Sequence, residues 1–467
     1  MTFNSLQYAV FLVLAVAVYW TIPSRFQNHW LLVCSYVFYA FWDVRFLALL
    51  GAASLVDFYV GIGIENSTDQ RRRKRLLLVS LAWNIGILGF FKYTNFFLDS
   101  AVELARAVGF SAHRSSLNII LPVAISFFTF QSIAYTVTIY RGRMSAARNL
   151  VDFAVYVAFF PQLVAGPIEK PWHILPQFQS VRTRPSADQV SRGLLLIFCG
   201  LVKKVVIADT AATVANQVFG DPKGTHAVAL VLGVYAFAVQ IYFDFSAYTD
   251  IARGSARLLG IELIENFREP YLSRDPSEFW RRWHISLSEW LRDYVFIPLG
   301  GSKAGELLTY RNLFVTMLVG GLWHGASWTF VIWGAFHGLL LMAARRLFPR
   351  HDPERPIAAR DIPAMIVTFH MVCLGWIFFR AATFSDAVAM ISGILRFQGG
   401  HAPVEVALTP FLLVATLAFD LVRRRMRTGN LAVLTTPRVT GALVALGTIG
   451  LIVFSGSPPV QFVYLKF

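Results

Sequence analysis

One histidine has the surroundings that buried proton transfer requires. His324 lies in an uncharged run from Asn312 to His337, and it follows Trp323 directly. An ionisable group at bilayer depth costs roughly 2.5–3.5 kcal/mol for the fully charged types, so it usually faces the protein interior and serves a function. Histidine enters more easily because it can be neutral, with a reference pKa of about 6.5. A neutral His324 is therefore a candidate general base.

Small residues flank His324 at a spacing typical of helix packing. Gly321 and Gly325 enclose it, and Gly334 and Gly338 repeat the arrangement around His337. One interpretation is close helix packing, with the histidines bonded across the interface. The other is that the glycines leave room beside the imidazole for a substrate. The residues themselves leave both interpretations open.

The second histidine, His284, lies in the stretch 277–294. Aromatic residues and leucines recur there at three- and four-residue steps, among them Trp283, whereas Arg281, His284 and Ser288 fall on another face. This period predicts one amphipathic helix, at a membrane surface or along a protein-lined cavity. A histidine on such a polar face is more often a hydrogen-bonded spacer than a catalyst.

The start of this helix is well marked. Asp275 is expected to cap it, Pro276 suits its first position, and Glu278 stands where a capping box places a carboxylate. A short motif upstream, 266–271, indicates a turn.

Two further polar residues stand at the ends of apolar runs. Gln162 lies in a segment with two prolines and a glycine, which predicts a kinked helix end with Gln162 hydrogen-bonded locally. Asp244 opens a dense group of polar residues at 244–250. It is expected to cap a following short helix or to hold a catalytic His or Arg in place. We place both among the residues that line or support the site.

Composition identifies an integral membrane protein. Of 467 residues, 56% are hydrophobic and 15% charged. The net charge of +15 comes from short basic clusters between apolar runs, such as 71–75. This pattern indicates membrane topology and anionic headgroups of the lipid bilayer, not a nucleic-acid partner. The cysteines Cys34, Cys199 and Cys373 lack paired spacing, and no metal site is expected.

The apolar runs predict an all-α polytopic fold of about 11–13 spans. With residues 64–75 and 141–150 in the cytoplasm, the N-terminus lies outside. The chain, 1–467, reads as a single membrane domain, with a core at about 151–345 and C-terminal spans within 363–456. Candidate spans are 6–22, 29–42, 45–63, 76–93, 118–140, 151–166, 193–209, 227–243, 311–328, 329–345, 363–380, 409–422 and 440–456.

Several motifs together resemble one family. The motifs are FFPQLVAGPI (159–168), DFSAYTDIA (244–252), NFREPY (266–271), EFWRRWHISLS (278–288), PLGG (298–301) and GLWHGA (321–326). They resemble the membrane-bound O-acyltransferase (MBOAT) family, and their order is similar to its bacterial branch of alginate O-acetyltransferases and D-alanyl transferases. Ala247, Thr249 and Asp275 depart from the family pattern, which leaves the substrate branch open.

The resemblance implies a multi-helix core, with amphipathic and re-entrant helices, around a funnel or tunnel in the cell (inner) membrane. His324 matches the family's catalytic histidine and His284 its second signature position. Trp283, Arg281, Ser288 and Trp323 would line the site, with Asp244 and Gln162 in support. The expected reaction moves an acyl group, with acetyl favoured, from a cytoplasmic thioester to a hydroxyl of an extracytoplasmic polysaccharide or envelope polymer.

The same resemblance implies a donor and a partner, whereas one of the two alternative functions comes from the residues themselves. The donor is an acyl thioester co-substrate, coenzyme A or a carrier protein, and no bound cofactor is expected. A separate extracytoplasmic acyltransferase of the SGNH type is a possible partner. A proton-coupled transporter of a polysaccharide or lipid, using intramembrane His and Asp residues, is the alternative from another class. A lipid or protein acyltransferase of the same family is a third.

Overall fold

The protein is built from α-helices joined by short turns. The structure, a computed structural model, describes residues 1–111, 119–164, 166–303, 305–348, 354–427, 437–454, 460 and 462. Within these residues there are twenty α-helices and no β-strand, as the all-α prediction requires. Parts of three predicted spans, at residues 118, 165 and 455–456, lie outside the described residues.

Two compact units divide the chain. The first contains residues 1–197 and 251–264. Its helices are α1 (Leu6–Thr21), α2 (Ser24–Ala40), α3 (Leu47–Glu65), α4 (Gln70–Leu88), α5 (Thr94–Ala107), α6 (Ile125–Tyr140), α7 (Leu150–Ala158), α8 (Phe160–Leu163), α9 (Pro171–Gln179) and most of α10 (Ala187–Val202).

The second unit contains residues 198–250 and 265–467, and it holds both signature histidines. Its helices are α11 (Asp209–Gly220), most of α12 (Ala227–Leu258), α13 (Pro276–Arg282), α14 (Ile285–Leu291), α15 (Glu306–His324), α16 (Trp328–Leu347), α17 (Ile362–Arg380), α18 (Phe384–Leu395), α19 (Thr409–Arg427) and α20 (Pro437–Phe454).

Helix length and composition confirm a multi-pass membrane protein. Six helical segments of the described chain are long and apolar enough to cross a membrane, and four further apolar helices are shorter. Large exposed side chains on these helices, such as Leu6, Phe411 and Ile452, are those that lipid would contact. Each predicted span overlaps a helix, but the limits differ. Helix α6 begins only at Ile125 within the span 118–140, α15 ends at His324 within 311–328, and the span 151–166 is divided between α7 and α8.

Helix α12 differs most from its prediction. The run 227–243 was expected to end before Asp244, but the helix continues for 32 residues to Leu258. The polar residues of 244–250 therefore lie inside a helix, where Asp244 and Asp250 are buried. Asp244 caps no following helix, so that expectation was wrong.

Candidate active site

The stretch 277–294 is not one helix. Helix α13 ends at Arg282, His284 adopts a left-handed conformation with φ 42° and ψ 56°, and α14 begins at Ile285. A non-glycine residue in this region needs support from its surroundings. The prediction of a continuous amphipathic helix is therefore wrong at this point. His284 also lies on no polar face, since it is fully buried.

Asn266 holds this break in place. Its backbone oxygen accepts a hydrogen bond from the N–H of Ile285 at 3.0 Å, and its side-chain Oδ1 accepts one from the N–H of Ser286 at 3.1 Å. These are backbone donors that the start of a helix leaves without internal partners. The 266–271 motif thus does more than form a turn, because it caps the helix that follows His284.

The start of α13 largely matches its prediction. Asp275 Oδ1 accepts from the N–H of Glu278 at 2.9 Å, and Pro276 is the first helical residue. The Glu278 carboxylate differs, because it accepts from the N–H of Arg274 at 2.8 Å instead of returning to the capping residue. Glu278 also forms a buried ion pair with Arg282 at 2.8 Å. This ion pair neutralises two charged side chains of α13 that are buried away from water.

His324 is the last residue of α15, in a hairpin packed through glycines. A Cβ added at Gly321 would meet the backbone oxygen of Phe330 and, at 3.1 Å, the Cα of Gly334. A Cβ at Gly334 would lie 2.5 Å from the backbone oxygen of Met317. These glycines allow α15 and α16 to approach closely. The packing interpretation holds for both, since no space remains there for a substrate.

One indole contacts both signature histidines. The ring centroid of Trp323 lies 5.8 Å from that of His284 and 4.9 Å from that of His324. Both contacts are edge-on, with interplanar angles of 69° and 76°. The structure therefore brings together, in one unit, the two histidines that the sequence places 40 positions apart.

Aromatic rings complete the surroundings of each histidine. His324 contacts Trp333 at 5.0 Å and Phe379 at 5.1 Å, measured between ring centroids. His284 contacts Phe245 at 4.6 Å. Burial in this environment lowers the pKa of His284 to about 3, because a dry environment disfavours the imidazolium form.

Helices α13 and α14, with seven residues or about 10 Å each, are too short to span a bilayer.

Trp283 lies beneath this cluster. It is 1% exposed, stacks on Phe279 at 5.5 Å and lies 5.0 Å from Trp376, so it supports α13 against α17. Trp283 therefore supports the packing of these helices. It is not among the residues that line the cavity described next.

A cavity of about 480 Å³ opens beside α13 and α14. Predicted site residues Arg281 and Ser288 line it, whereas His284 and His324 do not. Three further arginines, Arg268, Arg282 and Arg292, belong to its wall. Ser288 Oγ donates to the backbone oxygen of Trp283 at 3.2 Å. Glu289 and Glu354 also line it, and Arg268, Arg282 and Arg292 are each in an ion pair with a carboxylate. Four arginines against two glutamates leave the lining net basic, which suits an anionic ligand.

The cavity connects to His324 through side chains. Trp280 lines the cavity, its ring lies 5.7 Å from that of Trp333, and Trp333 contacts His324. Neither Trp280 nor Trp333 was singled out as a site residue from the sequence. The motifs are rich in tryptophan, and this was the sequence feature that could have pointed to Trp280 and Trp333. Tryptophan content does not show which rings contact each other across helices.

Asp244 pairs with a lysine. Lys204 Nζ lies 2.8 Å from Asp244 Oδ1 and 2.8 Å from Asp209 Oδ1, and it donates to the backbone oxygen of Val460 at 2.9 Å. All three ammonium hydrogens are thereby used. Lys204 lies in a π-helical segment, Lys203–Ala208, a conformation frequent at functional sites. The ion pair with Lys204 gives Asp244 a supporting position in the second unit.

Gln162 belongs to the first unit. Its Nε2 donates to the backbone oxygen of Tyr156 at 2.7 Å, and its side chain is buried. This is the local hydrogen bond that the sequence predicts for a kinked helix end. Its role in any site stays a prediction.

A buried histidine pair in a multi-helix membrane protein is the arrangement described so far, and comparison with known proteins identifies the family. The model of the membrane-bound O-acyltransferase family matches residues 144–382. The chain belongs to this family, and it is an O-acyltransferase.

Named relatives come from several bacteria. A probable alginate O-acetylase of Pseudomonas putida is 40% identical over 452 residues, which cover 95% of this chain and 91% of the relative. A peptidoglycan O-acetyltransferase of Helicobacter pylori is 36% identical over 80% of this chain and 75% of its own. A teichoic acid D-alanyltransferase of Bacillus subtilis is 29% identical over 58% of this chain and 72% of its own.

Proposed function

We propose that the protein transfers an acyl group, with acetyl favoured, from a cytoplasmic thioester to a hydroxyl of an extracytoplasmic polysaccharide or envelope polymer. The observation that carries the proposal is the position of His324. It is buried among aromatic rings, and two tryptophans connect it to a cavity lined by arginines. The relatives that act on alginate and peptidoglycan support a polymer as the acceptor.

In the proposed reaction, His324 is the general base. It takes the proton of the acceptor hydroxyl as the oxygen attacks the thioester carbonyl. The new C–O bond forms, the C–S bond breaks, and the proton passes from the imidazole to the departing thiolate. A positioned general base contributes about 10²–10⁴-fold to the rate. His284, held neutral by burial, would orient the reacting groups through the shared contact with Trp323.

The arginine-lined cavity is the proposed entrance for the donor. Coenzyme A and the prosthetic arm of a carrier protein both carry phosphate groups, which guanidinium groups bind well. The last turns of α16 and α19 are basic, with Arg345 and Arg346 on α16. The positive-inside rule would place this side of the second unit in the cytoplasm of a cell-membrane protein.

A partner is proposed for the acceptor side. A separate SGNH-type acyltransferase outside the cytoplasm would receive the acyl group or complete its transfer to the polymer. Crosslinking in the native host, followed by assay of the purified protein alone, would test this partner. Full transfer to polymer by the purified protein, with no crosslinked partner recovered, would contradict it.

The central test is transfer from a labelled acetyl thioester in proteoliposomes. His324→Ala, checked for folding by size exclusion, is expected to lose transfer by about two orders of magnitude or more. His284→Ala tests the second signature position, and His29→Ala, at an exposed site on α2, is the matched control. Wild-type rates in both signature variants would overturn the assignment. Polymer or lipid movement without release of a free thiol would favour the transporter alternative.

A further inference from the structure

Four buried side chains near His324 have ring nitrogens without hydrogen-bond partners among the described residues. They are the indole Nε1 atoms of Trp280, Trp333 and Trp376 and both ring nitrogens of His337. The four side chains are between 0% and 8% exposed. Folded proteins pair nearly all buried polar groups, because each one left unpaired costs about 1–3 kcal/mol. Several such groups in one place therefore need an explanation.

The four rings form one continuous cluster. His337 lies 4.8 Å from Trp333 and 5.2 Å from Trp280, measured between ring centroids. Trp376 lies 6.3 Å from Trp333. Gly375 allows the imidazole to fit, since a Cβ there would lie 2.7 Å from His337 Nε2. Helices α13, α16 and α17 thus direct unpaired N–H groups into one small region.

This cluster lies between the cavity and His324. Trp280 and Leu341 line the cavity. Leu341, His337 and Trp333 follow one face of α16 at four-residue steps, and Trp333 contacts His324. The eight residue steps from Leu341 to Trp333 correspond to about 12 Å along the helix. Trp280, His337 and Trp333 therefore link the cavity wall to His324 through consecutive ring contacts.

The hydrogen-bonding capacity of the cluster identifies the ligand group. An indole N–H only donates, whereas a neutral imidazole donates one hydrogen bond and accepts another. A region with mostly donors, and without a charged side chain among these four, suits neutral carbonyl groups. The pantetheine arm shared by coenzyme A and carrier proteins offers amide carbonyls and N–H groups, followed by the thioester carbonyl.

We propose that His337, Trp280, Trp333 and Trp376 hydrogen-bond the amide and thioester carbonyls of the pantetheine arm and so position the thioester at His324. This inference rests on the proposed function, because it requires a thioester donor. The four residues are positioning groups, and His324 remains the base. The glycine at position 375 belongs to the same arrangement, since a larger residue would displace the imidazole.

The test uses the full-length protein in proteoliposomes with four donors. Acetyl-coenzyme A and an acetyl-carrier protein distinguish the two sources of the arm. Acetyl-pantetheine has the arm alone, and the acetyl thioester of a simple alkyl thiol has no amides. The variants are His337→Leu, His337→Asn and Trp333→Phe. The last variant keeps an aromatic ring at position 333 and removes the indole N–H. Trp172→Phe, at a partly exposed site on α9, is the control.

The expected result is a differential effect. His337→Leu and Trp333→Phe should lower kcat/KM for acetyl-pantetheine about tenfold more than for the alkyl thioester, as loss of a buried hydrogen bond implies. His337→Asn, which keeps a donor and an acceptor, should recover most of the difference, and Trp172→Phe should show none. Thermal stabilisation by unreactive desulfo-coenzyme A should fall in parallel.

Two outcomes would overturn the inference. An equal loss with all donors would show that the rings only support the fold near His324. A wild-type protein that releases no thiol from any of the four donors would overturn the proposed function itself, and the inference with it. The first outcome leaves the proposed function standing, so the two failures are distinguishable.

Discussion

The imidazole of His324 meets the indole of Trp333 edge-on, with centroids 5.0 Å apart and planes at 86°. The two residues lie on opposite limbs of the α15–α16 hairpin, so the position of the histidine depends on how closely these limbs pack. The same tryptophan contacts His337. Trp333 thereby contacts both the candidate base, His324, and His337, which lies on the side of the cavity.

Packing through Gly321 should therefore control both stability and transfer. Gly321→Ala is expected to destabilise the protein by about 1–3 kcal/mol, because the added Cβ would force the hairpin apart. Thermal unfolding in detergent and acetyl transfer measure the two effects. Gly51→Ala is the control, since no atom lies within 4 Å of its added Cβ. It should unfold no earlier than wild type, as alanine favours a helix. Equal behaviour of both variants would contradict this account of the hairpin.

Asn266 should affect catalysis through the backbone of His284. Asn266→Ala removes the side-chain cap of α14, which is worth about 0.5–2 kcal/mol, and it loosens the left-handed residue beside Trp323. Asn149 also caps a helix with its Oδ1, which accepts from Val151 N–H at 2.8 Å, but it lies directly before that helix, α7. Asn149→Ala should lose similar stability but keep transfer. If both variants lose transfer in proportion to stability, Asn266 has no specific part in the site.

The low pKa of His284 predicts acid sensitivity of the fold. Its folded pKa of about 3 lies below the unfolded value of about 6.5. Between these values the unfolded chain binds the additional proton, so stability is full above pH 6.5 and falls as the pH falls toward 3. The slope from this one group is at most about 1.4 kcal/mol per pH unit.

His284→Asn should reduce this slope, because asparagine does not titrate and tolerates the left-handed conformation. Melting temperatures between pH 7.5 and 4 measure it. His29→Asn, at an exposed site, is expected to keep the wild-type slope. An unchanged slope in His284→Asn would show that other groups determine acid unfolding.

Arg281 should act on donor binding and not on chemistry. It is exposed, lines the cavity, and makes no ion pair within the described part of the chain. Arg281→Gln is expected to raise KM for acetyl-coenzyme A about two- to fivefold, with kcat nearly unchanged, as for a solvent-exposed charge contact. The effect should shrink at high salt. Arg72→Gln on α4 is the charge-matched control. A fall in kcat without a change in KM would assign Arg281 another role.

The sequence predicts much of the fold and part of the site. Apolar runs of sufficient length mark the helices, because a bilayer requires them whatever the tertiary contacts. The start of α13 was also readable, since Asp275 and Pro276 act within a few residues. Local chemistry of this kind is visible in one segment of sequence.

Long-range contacts determine what the sequence did not show. The helical period continues through Trp283 and His284, and the break arises from hydrogen bonds to Asn266, about twenty residues earlier. Asp244 resembled a helix end because polar residues cluster there, but Lys204 neutralises it inside α12. His337 and Gly375 become neighbours only when α16 and α17 pack together.

The ion pair between Lys204 and Asp244 has a consequence for assembly of the protein. The Lys204 ammonium also binds Asp209 and the backbone oxygen of Val460, near the C-terminus. Val460 lies 256 positions after Lys204, so the lysine gains this acceptor only after residue 460 has been synthesised. A chain that stops before this residue is expected to leave one N–H of a buried ammonium group without its partner, which is costly in a dry interior.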